Sequence, residues 1–329
     1  MAERELLEQL DQTIELLLAG TGAAISGGGE LAALTQIAGG LRDLPSEYFK
    51  MQLKTELQRR AAMTTSTAGV AGVGAGFRTI TPFLIHSNAP ELVEFVKTTF
   101  RAEELKRNTG EEAYGFYSEV RIGDSVIMIG GGRAAEHGNL PSALHVYVDD
   151  CDAAYRRAVE AGAVTLMGAM GEPADRPYGE RSGFVQDAFG NYWYIATRLG
   201  STPPAEGLGA VLPYAHPGRA RAYIDFLKRA FGAQEMAVYE QGGRIMHATM
   251  RIGDAVLELG EPEDRTGIPS NGFFLFVDDV EASYERALAA GATSVRPPAW
   301  SVASKFEGAE PFCALSAVTP SRSRTVRSY

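Results

Sequence analysis

Residues 121–130 read "RIGDSVIMIG" and residues 251–260 read "RIGDAVLELG", an offset of 130. Working outward, "TPFLIHSNAPELVEFVKTTFRAEE" from Thr81 returns as "LPYAHPGRARAYIDFLKRAFGAQE" from Leu212, an offset of 131. On the other side, "VDDCDAAYRRAVEAGA" from Val148 returns as "VDDVEASYERALAAGA" from Val277, an offset of 129. Three matches in one order, drifting by one residue at each step, mean that the chain carries one module twice.

A smaller unit repeats inside each copy. In the first, apolar patterning predicts strand 80–86, helix 89–99 and strands near 114–122 and 125–130. Strand 143–148, helix 150–161 and strands near 182–186 and 191–196 follow. This is βαβββ twice over. Helices on one side of curled, mostly antiparallel sheets give an α+β architecture of tandem paired βαβββ modules, each sheet offering a concave face to a ligand.

The flanks are of another kind. Residues 1–62 form a small helical segment: Leu6, Leu7, Leu10, Ile14, Leu17 and Leu18 make one apolar stripe. A second helix is expected over Leu31 to Leu41, and Ser46 caps a third that carries Phe49, Leu53 and Leu57. Packing on their own chain is the plainer role for these helices; docking to a partner is the alternative. Residues 63–78 read as a flexible, glycine-rich linker. Its "GVGAG" has no strand before it and no long helix after it, so it is not read as a phosphate loop. The first module then spans 79–198, a linker 199–209, an incomplete second module 210–299, and a divergent tail 300–329 whose folding the sequence leaves open.

The 329 residues carry a formal charge of −10 and a pI near 5.1. Such a chain lacks the net basic surface that nucleic acid or an anionic membrane surface requires. Cys151 and Cys313 are too far apart and too few to suggest a disulfide framework or a cysteine metal site. No apolar run is long enough to span a bilayer and the N-terminus is acidic, so the expected compartment is the cytoplasm.

Together with "LHVYVDDCDAAYRRAVEAGA", "RPYGERSGFVQDAFGNYWYIATR" and "RIMHATMRIGDAVLEL", the repeated stretches resemble the vicinal oxygen chelate superfamily over about residues 79–299. That group includes glyoxalase I, bleomycin-resistance proteins, fosfomycin-resistance enzymes and extradiol dioxygenases, and the sequence looks most like its PhnB-like branch. The resemblance implies paired βαβββ units around a cleft and, in enzymatic members, a divalent metal held by His, Glu or Gln at four strand positions. Carried onto the first module, those positions are Thr81, Met128, Ala143 and Tyr194. In the second they are Leu212, Glu258 and Gly272, with the fourth not placeable. Thr, Met, Ala and Tyr are not ligands for a hard or borderline ion, so no metal cofactor is expected. A His216–Glu258 remnant is the alternative metal pair.

Period-two alternation puts Tyr192 and Tyr194 on one face and Trp193 and Ile195 on the other. If the register implied by the resemblance holds, Phe83 and Ile85 from the first strand and His145 and Tyr147 from the neighbouring unit share the tyrosines' cleft. Rings with a few polar groups suit a flat, partly apolar organic molecule; filling a core is the competing role. Tyr178 and Arg181, in the loop before the last strands, are further ligand-contact candidates, the arginine for a carboxylate or phosphonate. His247 matches a histidine common in the relatives, and an ordinary strand histidine is its plainest reading. Cys151, between Asp150 and Asp152, is a poor nucleophile. His86 and His137 show no pattern that assigns a role.

After "GATSVRPPAW" the second copy loses the turn and strand equivalent to "DAFGNYWYIATR". An exposed sheet edge would then invite another chain, so the expected partners are a small molecule and a second copy in a homodimer. Pairing of modules within one chain or between two stays open. Three functions are therefore expected candidates: a holder of a small organic molecule without a family-type metal site, a metal-dependent glyoxalase-type lyase, isomerase or dioxygenase, and a regulatory scaffold docking through residues 1–62.

Overall fold

The computed structural model describes residues 74–109, 115–135, 138–200, 208–263, 268–294, 297–298 and 313–315, all within one compact unit of the chain. The helices expected over 1–62, most of the 63–78 linker, His137 and most of the 300–329 tail lie outside the described residues.

Four times the chain runs from a strand into a helix and on to further strands. The first unit is β1 (Ile80–Ile85), α1 (Ala89–Phe100), β2 (Glu103–Asn108), β3 (Tyr117–Ile122) and β4 (Ser125–Gly130). The second is β5 (Ala143–Tyr147), α2 (Cys151–Glu160), β6 (Val164–Thr165), β7 (Ala174–Arg176), β8 (Glu180–Gln186) and β9 (Tyr192–Arg198). The third is β10 (Val211–Ala215), α3 (Ala220–Phe231), β11 (Gln234–Gln241), β12 (Arg244–Ile252) and β13 (Ala255–Leu259). The fourth has β14 (Phe273–Leu275), α4 (Val280–Ala290) and β15 (Cys313–Leu315). The class is α+β, as expected. The repeated "VDD" acts at the helix starts: Asp150 accepts from the Ala153 amide and Asp279 from the Ala282 amide, each capping its helix.

Strand pairing interleaves the units. A six-stranded sheet runs β15-β14-β1-β4-β3-β2, joining the first unit to the fourth. A nine-stranded sheet runs β11-β12-β13-β10-β5-β9-β8-β6, with β7 beside β8, joining the third to the second. Helices cover one face of each sheet. Leu92, Val93 and Val96 of α1 and Ala154 and Ala158 of α2 share a core with Leu84, Ile129, Leu144, Trp193 and Ile195. Ile224 and Leu227 of α3 bury Met250, Leu257 and Leu259 in a second core.

The interleaving corrects one expectation. Thr81, Phe83 and Met128 lie on the six-stranded sheet, where Phe83 stands opposite Met128 and Thr81 opposite Phe274. Ala143, His145 and Tyr194 lie on the nine-stranded sheet. Positions 81 and 128 therefore do not converge with 143 and 194, and Phe83 and Ile85 do not line a cleft with His145. The physical reason is that β1 takes β14 as its antiparallel partner while β5 takes β10, so each sheet draws one unit from each copy.

The repeated motif that opens the sequence argument is the latch between copies. In each, a glycine with positive φ turns a tight hairpin: Gly123 at +58° and Gly253 at +57°. The aspartate that follows reaches across. Asp124 Oδ1 accepts from the Ala210 amide at the mouth of β10, at 2.6 Å. Asp254 Oδ1 accepts from the amide and hydroxyl of Thr79, at the mouth of β1, at 2.8 and 2.7 Å. A side chain at Gly123 would sit 2.7 Å from the Ala210 methyl, so conformation and contact both demand glycine.

Buried Asn271 ties the sheets together at a third point. Its side-chain oxygen accepts from the Ala143 amide at 2.6 Å and its amide donates to the Tyr214 carbonyl at 3.1 Å. In the tail, Cys313–Leu315 adds an antiparallel strand beside β14, where β9 lies parallel to β5 in the other sheet.

Candidate functional site

The stretch Asp187–Arg198 builds one wall of the site. Asp187 is buried and accepts four hydrogen bonds: Oδ1 from the Phe189 and Asn191 amides, Oδ2 from the Asn191 side chain and from Trp193 Nε1. Burial still lifts this carboxyl above its usual range. Asn191 in turn accepts from the Ser142 amide at 2.9 Å, fixing the turn against the start of β5. Trp193 is then driven into the helix-side core, against Phe100 at 4.9 Å between ring centroids. Its neighbours Tyr192 and Tyr194 are sent to the opposite, helix-free face.

Register identifies the other residues of that face. Tyr194 stands beside His145 on one side and Phe184 on the other. His145 faces Leu212, Tyr214 pairs with Glu258, and Glu258 pairs with Thr249. Glu180 pairs with Arg198. The rings contact one another: Tyr194–Tyr214 at 5.0 Å, Tyr214–His216 at 4.8 Å and Phe184–Tyr194 at 5.4 Å.

A charged array runs through these rings. His145 Nδ1 lies 2.8 Å from Glu258 Oε2, and its Nε2 lies 3.6 Å from Glu180 Oε2. The Tyr147 hydroxyl donates to Glu180 Oε1 at 2.7 Å, and the Arg198 guanidinium sits 3.6 Å over the Tyr147 ring. Burial by itself would lower the His145 pKa, but the Glu258 and Glu180 carboxylates outweigh it and raise the imidazole. Glu258 is moved the other way: burial opposes its charge, yet His145 holds it below the usual carboxylate range. Imidazolium and carboxylate thus support each other.

The two other histidines on this face are pushed toward the neutral form. Burial takes His216 down to about 4, and burial also lowers His247. The Tyr194 hydroxyl lies 2.8 Å from His216 Nε2. His216 Nδ1 is buried without a hydrogen-bond partner among the described residues, and so is Arg198 Nη2.

A folded-state histidine pKa depressed from 6.5 to about 4 favours the unfolded chain as pH falls, because the unfolded imidazole takes the proton first. The contribution is complete above the unfolded value and is lost on the way down to the folded one. Urea unfolding at pH 7 and pH 4.5 should show His216 accounting for a loss on the order of 2–3 kcal/mol. In His216→Asn the difference between the two pH values should shrink by that amount; an unchanged difference would mean that folded His216 takes up its proton over the same pH range as the unfolded chain.

Of the residues singled out in the sequence, His145, Tyr147, Tyr192 and Tyr194 share this face. Tyr178 lies close by, its hydroxyl 3.4 Å from Ser182 Oγ and its pKa raised by burial. Arg181 points to the other side of the sheet, where it is paired with Asp152 at the start of α2 and with Asp175 at 2.9 Å. The alternation that puts Glu180, Ser182 and Phe184 on the helix-free face sends Arg181 to the helices. Cys151 is buried at the first turn of α2, and burial pushes its thiol up to about 11. His86 is half-buried beside Phe189.

Glu180, Arg198, Phe184 and Tyr214 were not found from sequence. Their signal was available, since Arg198 lies an even number of residues from Tyr194, and Tyr214 from Leu212. The pairing of β10 with β5, which brings the two halves of the face together, has no local signal.

The metal positions implied by the resemblance can now be tested on this face. Ala143, Tyr194, Leu212 and Glu258 stand on its four central strands, β5, β9, β10 and β13. They supply one carboxylate, already bonded to His145, with one phenol and two apolar side chains. His216 bonds to Tyr194 and not to Glu258, so the alternative pair is not assembled either. Among the described residues no group of three or more His, Cys, Asp or Glu is arranged to hold a metal ion. This donor set does not fit a hard or borderline divalent cation.

The sequence profile of the Glyoxalase/Bleomycin resistance protein/Dioxygenase superfamily matches residues 217–309. An uncharacterised Mycobacterium bovis protein, Mb0911c, is 31% identical over 126 residues, which are 35% of this chain and 80% of that protein. Rv0887c of Mycobacterium tuberculosis, also uncharacterised, is 31% identical over 126 residues, 35% of this chain and 72% of its own. The chain belongs to the glyoxalase/bleomycin resistance protein/dioxygenase superfamily. Among solved structures, glyoxalase I from Zea mays is similar at TM-score 0.47 and 13% identity, over 66% of this chain and 78% of that one. A putative dioxygenase from Bacillus subtilis is similar at TM-score 0.44 and 15% identity, over 69% of this chain and 77% of that one. No described helix is long and apolar enough to cross a membrane.

Proposed function

We propose that this protein holds a small, partly aromatic organic molecule on the helix-free face of the nine-stranded sheet, without a family-type metal site. The observation that carries the reading is a buried mismatch. Among the described residues, Arg198 Nη2 and His216 Nδ1 have no partner on a face otherwise lined by Phe184, Tyr194 and Tyr214. A buried polar group left unpaired costs free energy, so both atoms favour a bound molecule that supplies partners while its rings pack on the tyrosines. His145, Tyr147, Tyr178, Tyr192 and Tyr194 are the proposed contacts. Phe83 and Arg181 are not among them, because their side chains stand elsewhere. We further propose that residues 79–198 and 210–299 are tandem modules of the PhnB-like kind, acting in the cytoplasm.

Calorimetric titration with 2-naphthol tests this. Removing one stacking ring costs about 1 kcal/mol, so Tyr194→Ala should bind roughly fivefold more weakly. Phe274→Ala, on the other sheet, should bind like wild type, and prior treatment with EDTA should change nothing. Equal weakening in both variants, or loss of binding after EDTA, would overturn the proposal.

A further inference from the structure

The polar array on this face has a charge balance that bears on what it accepts. Two carboxylates, Glu180 and Glu258, are met by two cations, His145 and Arg198. His145 lies against both acids, at 2.8 Å from Glu258 and 3.6 Å from Glu180. Arg198 acts on the same group: Tyr147, under its guanidinium, donates to Glu180. With His145 protonated the set is neutral, and among the described residues its buried Arg198 Nη2 has no acceptor.

Resting on the reading of this face as a ligand site, we propose that it takes an uncharged aromatic ketone, whose carbonyl oxygen accepts from Arg198 Nη2, and discriminates against the matching aromatic carboxylate. A carbonyl oxygen satisfies the guanidinium with a charge-assisted hydrogen bond and adds no net charge. A carboxylate satisfies the same donor but leaves one negative charge in excess beside Glu180 and Glu258, where burial makes it costly. An ammonium compound offers Arg198 no acceptor and leaves one positive charge in excess. A plain hydrocarbon leaves the donor unpaired.

Size follows from the strand. Tyr194, which touches His216, and Arg198 stand on one face of β9 four residues apart, about 13 Å at the rise of a strand. A bicyclic ring packed on Tyr194 and Tyr214 therefore has to carry its carbonyl on an outer carbon to reach Arg198.

Four naphthalenes with one skeleton provide the test: 2-acetonaphthone, 2-naphthoate, 2-ethylnaphthalene and 2-naphthylmethylammonium, titrated calorimetrically into the full-length protein at pH 7. The expected order has the ketone at least tenfold tighter than each of the others. In Arg198→Met its advantage over 2-ethylnaphthalene should vanish, while Arg198→Lys should keep part of it; circular dichroism establishes that both variants fold. Should 2-naphthoate or the ammonium compound bind as tightly as the ketone, the inference is wrong, although the face remains a ligand site. A ketone preference that survives in a folded Arg198→Met also overturns it. If none of the four binds, the reading of the face as a ligand site fails, and the inference with it.

Discussion

Replacing Trp193 with alanine should destabilise the protein by about 4 kcal/mol, the range found when large aromatic side chains are removed from a packed core. The indole is fully buried, and it lies against Phe95 and Phe100 at centroid distances of 6.1 and 4.9 Å. Truncation also removes the Nε1 donor from Asp187, a buried carboxylate that burial already disfavours. Trp193→Phe separates the two contributions. It keeps most of the ring contact and loses the hydrogen bond, so a cost of about 1–2 kcal/mol is expected. Urea unfolding midpoints measure both. A loss in Trp193→Ala no larger than in Trp193→Phe would show that packing at this position contributes little.

Glu258→Ala is the second large effect, at about 3 kcal/mol, because it removes one partner of a buried ion pair and leaves the other. Glu258 is 6% exposed and its oxygen lies 2.8 Å from His145 Nδ1. His145 has an escape that limits the loss: it can release its proton. In wild type the imidazole pKa is raised by the two carboxylates against the effect of burial. With Glu258 gone, burial dominates and the pKa should fall below 6.5, the ordinary value for histidine. Titration of the His145 ring signals by NMR reads this directly. A His145 pKa that stays raised in the variant would assign the shift to Glu180 alone. Glu258→Gln, which keeps the shape and removes the charge, should produce the same drop in pKa at a smaller cost in stability.

How far the sequence could be read depended on the kind of residue. Strands buried on their helix side announce themselves: β1, β4, β5 and β9 fall within two residues of the expected spans. Edge strand β2 does not. Its "EELKRN" is exposed along nearly its whole length and carries charged side chains in place of apolar alternation. The turn before β9 was legible because Asp187, Gly190 and Asn191 each have a geometric task there.

The site was only half legible. Alternation along β5 and β9 puts His145, Tyr147, Tyr192 and Tyr194 on one face, as their register does. The same alternation sends Arg181 to the helix side, because β8 begins at Glu180 and takes in what the turn residues of "PYGERSG" mark as loop. The grouping of Phe83 with these residues failed for a different reason. Local pattern fixes which face a side chain occupies, whereas the choice of sheet was made by long-range pairing of β1 with β14 and β5 with β10. Glu258 and Tyr214 reach His145 and Tyr194 only through that pairing.

The interleaved pairing also governs how the molecule is made. β1 is the first described strand to leave the ribosome, yet Ile80 finds its partner at Leu275, in the fourth unit. Until then the nascent first unit carries an open backbone edge, whereas β5 meets β10 much sooner. Synthesis therefore supplies every described strand of the nine-stranded sheet before the last strands of the six-stranded one. Chains that stop before residue 270 leave β1 without its β14 partner, an unprotected edge of the kind that chaperones exist to shield.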